Sequence, residues 1–207
     1  MMQTPYEEYE DIKLPRMPLI GTTTLELNEL SHYLIGGLGF SQDDAVETAL
    51  RFRVYLQEYV PESEPDFELT TFEAPKAQLI ADFNLEFSSI CKHHLLPFFG
   101  LAHVGYIPAK RIIGTSKMPR LVDWLAHRPQ TQEDLTAQIV SWMYRTLDPQ
   151  GVMVVLECVH TCMSCRGVRK VGAKMVTSLP KGCFFSSPPA RQEFLDLLIM
   201  SRKDISR

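Results

Sequence analysis

Hydrophobic residues alternate with mostly polar neighbours between positions 79 and 87. This period of two predicts a strand with one buried face in an antiparallel sheet. Three further strand patterns follow along the chain, over 102–107, 151–159 and 174–179. The part of the chain after residue 78 is therefore expected to contain a four-stranded sheet.

Helical patterns lie before and between these strands. Ser41, with Asp44 three residues later, has the spacing of a helix start, and apolar residues recur at helical spacing after it. Between the second and third strands, one helix is predicted over 116–127 and another begins at Thr131. A last helix begins at Pro188, because proline is accepted in a first helical turn.

The order strand, strand, helix, helix, strand, strand predicts an α+β fold, an antiparallel four-stranded sheet with two helices on one face. An N-terminal helical region precedes it. Such a sheet has two exposed edges and one uncovered face, which favours association with further copies of the chain. Turn and breaker signals divide the chain into a polar N-terminal arm (1–22), the helical region (23–62) and the sheet-bearing domain (63–207), with a proline-rich break over 61–65.

Composition and charge narrow the class of protein. The 207 residues are 45% hydrophobic, which is enough for a real core, and the net charge of −4 argues against a nucleic-acid partner. The acidic N-terminus lacks a signal-peptide pattern, and no apolar stretch is long enough to span a bilayer. We therefore expect a cytoplasmic protein that does not bind membranes. In that compartment the five cysteines stay reduced and are metal ligands or core residues.

Two clusters of metal-ligand residue types lie where predicted strands end. Cys91 and His94 have C-x-x-H spacing, and Cys162 lies much further along the chain. Zinc prefers thiolate and imidazole ligands, and three of them with water in the fourth position make a catalytic site. With Cys165 as a fourth ligand the same residues would form a closed structural site, and spacing alone favours that alternative. Without a metal, the cysteines would be small buried hydrophobic residues.

His93 and His160 change the preference between the structural and the catalytic zinc site. Neither is needed as a ligand, yet each lies beside candidate ligands. Histidine titrates near neutral pH and can act as a general acid or base beside a metal. Each alone would fit an ordinary surface histidine, but a structural zinc site has no use for the pair. The two histidines therefore favour a catalytic site.

Two basic groups indicate an anionic ligand. Ser116, Lys117 and Arg120 lie at the start of a predicted helix, where backbone N–H groups and the helix dipole favour an anion. Arg166 follows Cys162 closely. Either group alone would be a solvated surface patch. Together, near a metal, they predict a substrate that carries phosphates.

Gln132 and Glu133 begin the second of the two central helices. A carboxylate can accept two parallel hydrogen bonds from the ring N–H and the exocyclic amine of guanine. By itself, however, a glutamate in a first helical turn is explained by the helix dipole. Both explanations stay open at this point.

Taken in order, six segments resemble the GTP cyclohydrolase I family, the zinc enzymes that open pterin and folate biosynthesis. They are CKHHLLPFFG, AHVGYIP, IIGTSKMPR, RPQTQEDLTAQI, GVMVVLECVHTCMSCRGVRK and VTSLPKGCF. With the stretches between and around them, the resemblance covers about residues 67–198. It implies the tunnelling fold, in which such sheets join side by side into a barrel, and a homodecamer built from pentamers.

The resemblance also implies residue roles. Zinc would be bound by Cys91, His94 and Cys162, while Cys165 falls where the family needs no ligand. His93 and His160 would transfer protons. The substrate-binding residues would be Glu133, supported by Gln132, at the guanine, and Ser116, Lys117, Arg120 and Arg166 at the ribose and triphosphate.

The reaction that the resemblance implies converts GTP and water to formate and 7,8-dihydroneopterin triphosphate, the first step of tetrahydrofolate and pterin biosynthesis. Two alternatives are a divergent relative acting on a related guanine nucleotide, in a deazapurine or specialised pterin pathway, and a catalytically silent zinc-binding homologue. Both are prompted in part by Lys92, which stands where the family usually has glutamate and so changes the local charge by two units. Such a lysine can favour the thiolate, attract phosphate or remove a substrate contact.

Overall fold

The computed structural model describes residues 24–60, 67–74, 76 and 78–203. In chain order its elements are α1 (Thr24–Leu38), α2 (Gln42–Gln57), β1 (Thr71–Glu73), β2 (Ile80–Cys91), β3 (Pro97–Ile107), β4 (Arg111–Ile113), α3 (Lys117–Ala126), β5 (Pro129–Gln130), α4 (Gln132–Leu147), β6 (Gly151–His160), α5 (Thr161–Ser164), β7 (Met175–Gly182), α6 (Cys183–Ser186) and α7 (Pro188–Lys203). The predicted N-terminal arm and the proline-rich break lie outside the described residues. The three-part division of the chain therefore stays a prediction.

The central sheet has the strand order β5-β2-β3-β6-β7. Its four long strands, β2, β3, β6 and β7, pair with their neighbours in antiparallel fashion, which confirms the predicted fold class. The shorter strands carried no sequence pattern. The two-residue β5 runs parallel to the end of β2, and β1 pairs with β4 in a separate two-stranded sheet.

One face of the sheet packs against α3 and α4, as predicted. Phe98 of β3, Leu121 of α3 and Met143 of α4 are fully buried in this core. A capping box begins α4: the Thr131 hydroxyl accepts from the backbone N–H of Asp134, whose carboxylate accepts from the backbone N–H of Thr131. The capping box fixes the start of α4, and the buried core holds both helices on this face of the sheet.

The second face of the sheet is partly covered by the C-terminal helices. Phe184 and Phe194 are buried against Met153 and Val155, residues of β6 that alternate with those facing α4. Gly105 permits this contact, since a Cβ at that position would lie 2.5 Å from the ring of Phe194. The expectation of an uncovered face is therefore wrong for the part of the sheet beneath α7.

A buried polar group lies on this second face. His103 is fully buried, its Nδ1 accepts from the backbone N–H of Asn84 at 3.1 Å, and its Nε2 lies 3.3 Å from Oε1 of Glu157. Arg202 of α7 forms an ion pair with the same carboxylate. Burial, followed by the charge of Arg202, lowers the pKa of His103 to about 4, so the ring is neutral at neutral pH. The group joins the end of α7 to the centre of the sheet.

A helical hairpin, α1 and α2, precedes the sheet. Leu34 of α1 packs against Ala45 and Ala49 of α2. The hydroxyl of Ser41 accepts a hydrogen bond from the backbone N–H of Asp44, which confirms the predicted helix start. Across the described part of the chain, no helix combines the length and the hydrophobicity needed to span a membrane.

Candidate active site

Three strand ends meet at one end of the central sheet. β2 ends at Cys91, β3 begins at Pro97, and β6 ends at His160. The register pairs Phe98 with His160 across β3 and β6, and it pairs Ile90 with Pro97 across β2 and β3. Because β3 lies between the other two strands, the antiparallel pairing brings the two ligand clusters together.

The donor atoms of Cys91, His94 and Cys162 all lie within 4.8 Å of one another. We call these three residues the metal group. The Sγ of Cys91 and the Nδ1 of His94 are 3.7 Å apart. In a tetrahedral zinc site, the Zn–S and Zn–N bond lengths place neighbouring donor atoms roughly 3.5–3.8 Å apart. Thiolate and imidazole donors also suit zinc, whereas magnesium and calcium take oxygen ligands. The side chains present therefore fit a zinc ion.

A tight backbone turn places Cys91 and His94 side by side. The N–H groups of His94 and Leu95 donate to the carbonyl of Cys91 at 3.2 and 2.8 Å, and the N–H of Cys91 donates to the carbonyl of Leu96 at 2.9 Å. Leu95 has a φ of 53°, in the left-handed region that a leucine rarely adopts. Backbone strain is thus stored directly beside the candidate ligands.

Cys165 does not join this group. Its thiol donates to the carbonyl of Thr161 at 2.8 Å, and its side chain is exposed. The closed four-ligand site, which spacing alone favoured, is therefore not the arrangement in the structure. Three ligands leave the fourth position of a tetrahedral ion open, as a catalytic zinc site requires.

The surroundings of the Cys162 thiol oppose its ionisation. Burial raises the pKa of the Cys162 thiol, the adjacent Cys91 raises it further, and Arg166 lowers it. A second thiolate would be repelled by the first. A bound divalent cation would supply the missing positive charge and deprotonate both thiols. The electrostatics of the group therefore agree with its geometry.

His160 is held by a buried glutamine and an aromatic ring. Its Nε2 lies 2.9 Å from the Oε1 of Gln132, and its ring stacks on Phe98 with centroids 4.7 Å apart and planes 4° apart. Burial lowers the pKa of His160, while the charge of Glu133 opposes that shift. The imidazole is therefore neutral at neutral pH, in a fixed orientation.

The partners of Gln132 fix which way its amide faces. The two N–H groups of the amide are shared among three acceptors, the carbonyls of Leu156 and Met175 and the hydroxyl of Thr177, which lie 3.1, 3.2 and 3.0 Å from its nitrogen. The amide oxygen therefore accepts, so His160 carries its proton on Nε2 and keeps a lone pair on Nδ1. The side chain is fully buried and contacts His160, while the predicted part of Gln132 in substrate binding stays a prediction.

Three further predicted site residues lie exposed around the metal group. The Nδ1 of His93 is 3.8 Å from the Sγ of Cys91. The charge of Glu133 acts on His160, and the charge of Arg166 acts on Cys162. The structure thus brings a second histidine, a carboxylate and a guanidinium to the candidate ligands within one chain.

The remaining predicted residues lie at the start of α3. Ser116 is the residue before the helix, its side chain is exposed, and its hydroxyl makes no capping hydrogen bond. The Nζ of Lys117 lies 6.0 Å from the centroid of the Phe67 ring. Arg120 is exposed one turn further on. The three side chains form a local cationic surface, which we call the α3 anion site.

The α3 anion site lies at the other end of the sheet from the metal group. The N–H of Ile113, just before α3, donates to the hydroxyl of Tyr106 at 3.1 Å. Tyr106 is near the end of β3, whereas Phe98, beside His160, is near its beginning. About 26 Å of strand separates these two residues, at the usual rise per residue. The start of α3 therefore lies towards the end of β3 that is remote from the metal group.

Two residues of the site were not predicted. The stacking of Phe98 on His160 depends on strand register, which no local pattern reveals. Asp134 forms an ion pair with Lys92 at 2.8 Å. The Thr-x-x-Asp spacing at 131–134 is that of a capping box and could have marked the aspartate as a fixed carboxylate.

The chain is similar in sequence to known proteins of one family. The sequence model of the GTP cyclohydrolase I family matches residues 37–199. GTP cyclohydrolase 1 of Thermobifida fusca is 46% identical over 166 residues, 78% of this chain and 80% of that protein. GTP cyclohydrolase 1 of Leptospira biflexa is 50% identical over 127 residues, 61% of this chain and 69% of that protein. Among solved structures, the apo archaeosine synthase QueF-Like has a TM-score of 0.42 at 15% identity, covering 53% of this chain and 97% of that chain.

Proposed function

The chain belongs to the GTP cyclohydrolase I family, and we propose that it converts GTP and water to formate and 7,8-dihydroneopterin triphosphate with zinc bound by Cys91, His94 and Cys162. The observation that carries this proposal is the three-ligand group with His160 beside it in one tautomer. An open ligand position and a neutral histidine together suit hydrolysis of a ring C–N bond.

Bound zinc supplies Lewis-acid activation of water at neutral pH. His160 exchanges protons through Nδ1, because its Nε2 is engaged by Gln132. Water adds at C8 of the guanine, a ring nitrogen is protonated, and the imidazole ring opens to a formamide, whose hydrolysis releases formate. Opening of the ribose, an Amadori rearrangement and closure of a six-membered ring follow. His93, at the exposed rim, is the second group for these proton transfers.

Glu133 and Arg166 bind the two ends of the nucleotide in this proposal. The carboxylate of Glu133 accepts hydrogen bonds from the guanine ring N–H and the exocyclic amine. Arg166 places a guanidinium near Cys162, where it can bind phosphate oxygens. The triphosphate takes no part in the chemistry. Its binding energy would hold the base at the metal through several steps.

A second copy of the chain would supply the α3 anion site. Within the described residues, β7 pairs only with β6, and β2 pairs on its outer side only over its last two residues. Both edges can therefore accept a strand from a neighbouring copy. Such pairing would join the metal group of one copy to the α3 anion site of another, in the homodecamer of pentamers that the family resemblance implies.

Turnover of GTP tests the proposed function directly. We expect the purified, zinc-loaded protein to release formate and to form a product that oxidises to fluorescent neopterin triphosphate. Both products are measured in one incubation, with Glu133→Gln as the control that weakens guanine binding. If fully zinc-loaded protein yields neither formate nor neopterin, the proposed function is wrong.

Mixing two inactive variants tests the shared site. We expect His160→Ala and the double variant Lys117→Ala, Arg120→Ala each to be nearly inactive alone. When they are co-expressed in equal amounts, about one quarter of the sites should combine an intact metal side with an intact α3 anion site. The specific activity of the mixed oligomer should therefore recover to about one quarter of wild type. Mixed oligomers without activity would mean that both sides come from the same chain.

A further inference from the structure

Lys92 lies in the turn over residues 91–96, which carries Cys91 and His94 and which we call the metal-binding turn. Its side chain forms an ion pair with the start of α4. Its Nζ is 2.8 Å from the Oδ2 of Asp134, and its backbone N–H donates to the carbonyl of Gln130 at 3.1 Å. Lys92 therefore contacts residues 130–134 twice, once through its side chain and once through its backbone. The charge of Asp134 also offsets the cation that Lys92 introduces beside the candidate ligands.

The carboxylate of Asp134 is held in place independently of Lys92. It accepts a hydrogen bond from the backbone N–H of Thr131 at 3.2 Å, while its own N–H donates to the hydroxyl of Thr131 at 3.1 Å. Burial alone would raise the pKa of Asp134, but hydrogen bonds from Lys92 and Thr131 lower it overall, so the group is charged at neutral pH. Exposed ion pairs are weak partly because two long side chains must be ordered. Here the capping box has already ordered one of them.

We propose that Lys92 and Asp134 form a positioning ion pair that fixes the distance between the metal-binding turn and the first turn of α4. The metal-binding turn carries Cys91 and His94, and the first turn of α4 carries Glu133. The pair thus joins the metal side of the site to the guanine-recognition side. Lys92 accordingly acts through the placement of Glu133, and the glutamate-to-lysine difference leaves GTP as the substrate.

The consequences for metal and for substrate are separable. The part that concerns GTP rests on the proposed reaction, whereas the part that concerns the metal-binding turn rests only on zinc binding by the three-ligand group. Zinc release to a chelator therefore reports on the ion pair even in a protein without turnover. Steady-state kinetics with GTP then report on the placement of Glu133.

A charge-swap cycle tests the pair. The four proteins are wild type, Lys92→Glu, Asp134→Lys and the double variant, each assayed for zinc release to a chelator and for kcat and KM with GTP. Each single variant sets like charges against each other, so we expect KM to rise about tenfold and zinc release to become about threefold faster, with a smaller change in kcat. The double variant restores an attractive pair of reversed polarity but not the capping box of α4, so its losses should be clearly smaller than the sum of the two single losses.

Two controls separate the pair from other effects. Asp134→Asn keeps an acceptor for the Thr131 N–H but removes the charge, and we expect a KM rise of about threefold. Lys110→Glu makes the same charge change on an exposed residue beyond the far end of β3 and should alter neither readout. Simple addition of the two single effects in the double variant, an equal effect of Lys110→Glu, or a gain of GTP turnover in Lys92→Glu would each overturn the proposal. A wild type without GTP turnover would refute the proposed function, while the zinc-release cycle would still decide on the pair.

Discussion

Replacing Cys162 by serine is expected to abolish stable zinc binding at neutral pH and to lower GTP turnover by about a thousandfold. A serine hydroxyl is not deprotonated at this pH and is a far weaker zinc ligand than a thiolate, so the group keeps only two good donors, Cys91 and His94. Zinc content per chain, measured by mass spectrometry on the purified variant, and formate release with GTP check the two parts separately.

Cys165→Ser is the matched control for this prediction. It makes the same chemical change three residues away, in an exposed thiol that donates to the carbonyl of Thr161. We expect zinc content and turnover to stay at the wild-type level. Loss of zinc from Cys165→Ser would show that a fourth protein ligand closes the site, and the proposed catalytic role of the metal would then be wrong.

His160→Ala is expected to lower kcat by about 10²- to 10⁴-fold while zinc content and the KM for GTP change little. The reason is that His160 lies beside the candidate ligands in a fixed tautomer: Gln132 holds its proton on Nε2, and Phe98 stacks on the ring. Steady-state kinetics combined with zinc analysis check that kcat falls while KM and zinc content stay nearly constant. Imidazole added to the buffer should restore part of kcat by filling the space that the ring leaves.

The control for this variant is His32→Ala, which removes an exposed histidine of α1 and should leave kcat unchanged. An unchanged kcat in His160→Ala would transfer the proton-transfer role to His93. Loss of zinc in the same variant would instead mean that His160 supports the Cys162 ligand and carries no protons. Either outcome would contradict the proposed division of tasks.

The long elements of the fold could be predicted because each repeats its pattern several times. The alternation over 79–87 spans enough residues of β2 to exclude a helix, and the start of α4 carries a recognisable cap at Thr131. Strands of two or three residues, such as β5 and β1, are too short to show a period. The covering of the second face by α7 depends on packing of Phe194 over Gly105, and neither residue is distinctive alone.

The candidate site divides in a similar way. The meeting of Cys91, His94 and Cys162 could be predicted because metal chemistry restricts the residue types and the strand ends had to meet, but the exclusion of Cys165 was implied only by the family resemblance. The contacts of Gln132 and Lys92 could not be predicted, because their partners lie tens of residues away and are reached only through strand register. The position of Ser116 and Lys117 was likewise hidden, since a helix start favours anions wherever it lies in the molecule.

In the proposed mechanism, the contacts of the Gln132 amide nitrogen connect β7 to the proton-transferring His160. Two of them end on Met175 and Thr177, at the beginning of an edge strand. In the proposed ring, that edge is completed by a neighbouring copy, so the neighbour helps to keep the amide of Gln132 and the ring of His160 in place. In a free subunit, the contacts between β7, Gln132 and His160 would be less well ordered, and the subunit would be inactive until it assembles. Activity would then depend on assembly, and dilution would abolish it by dissociating the oligomer before any chain unfolds.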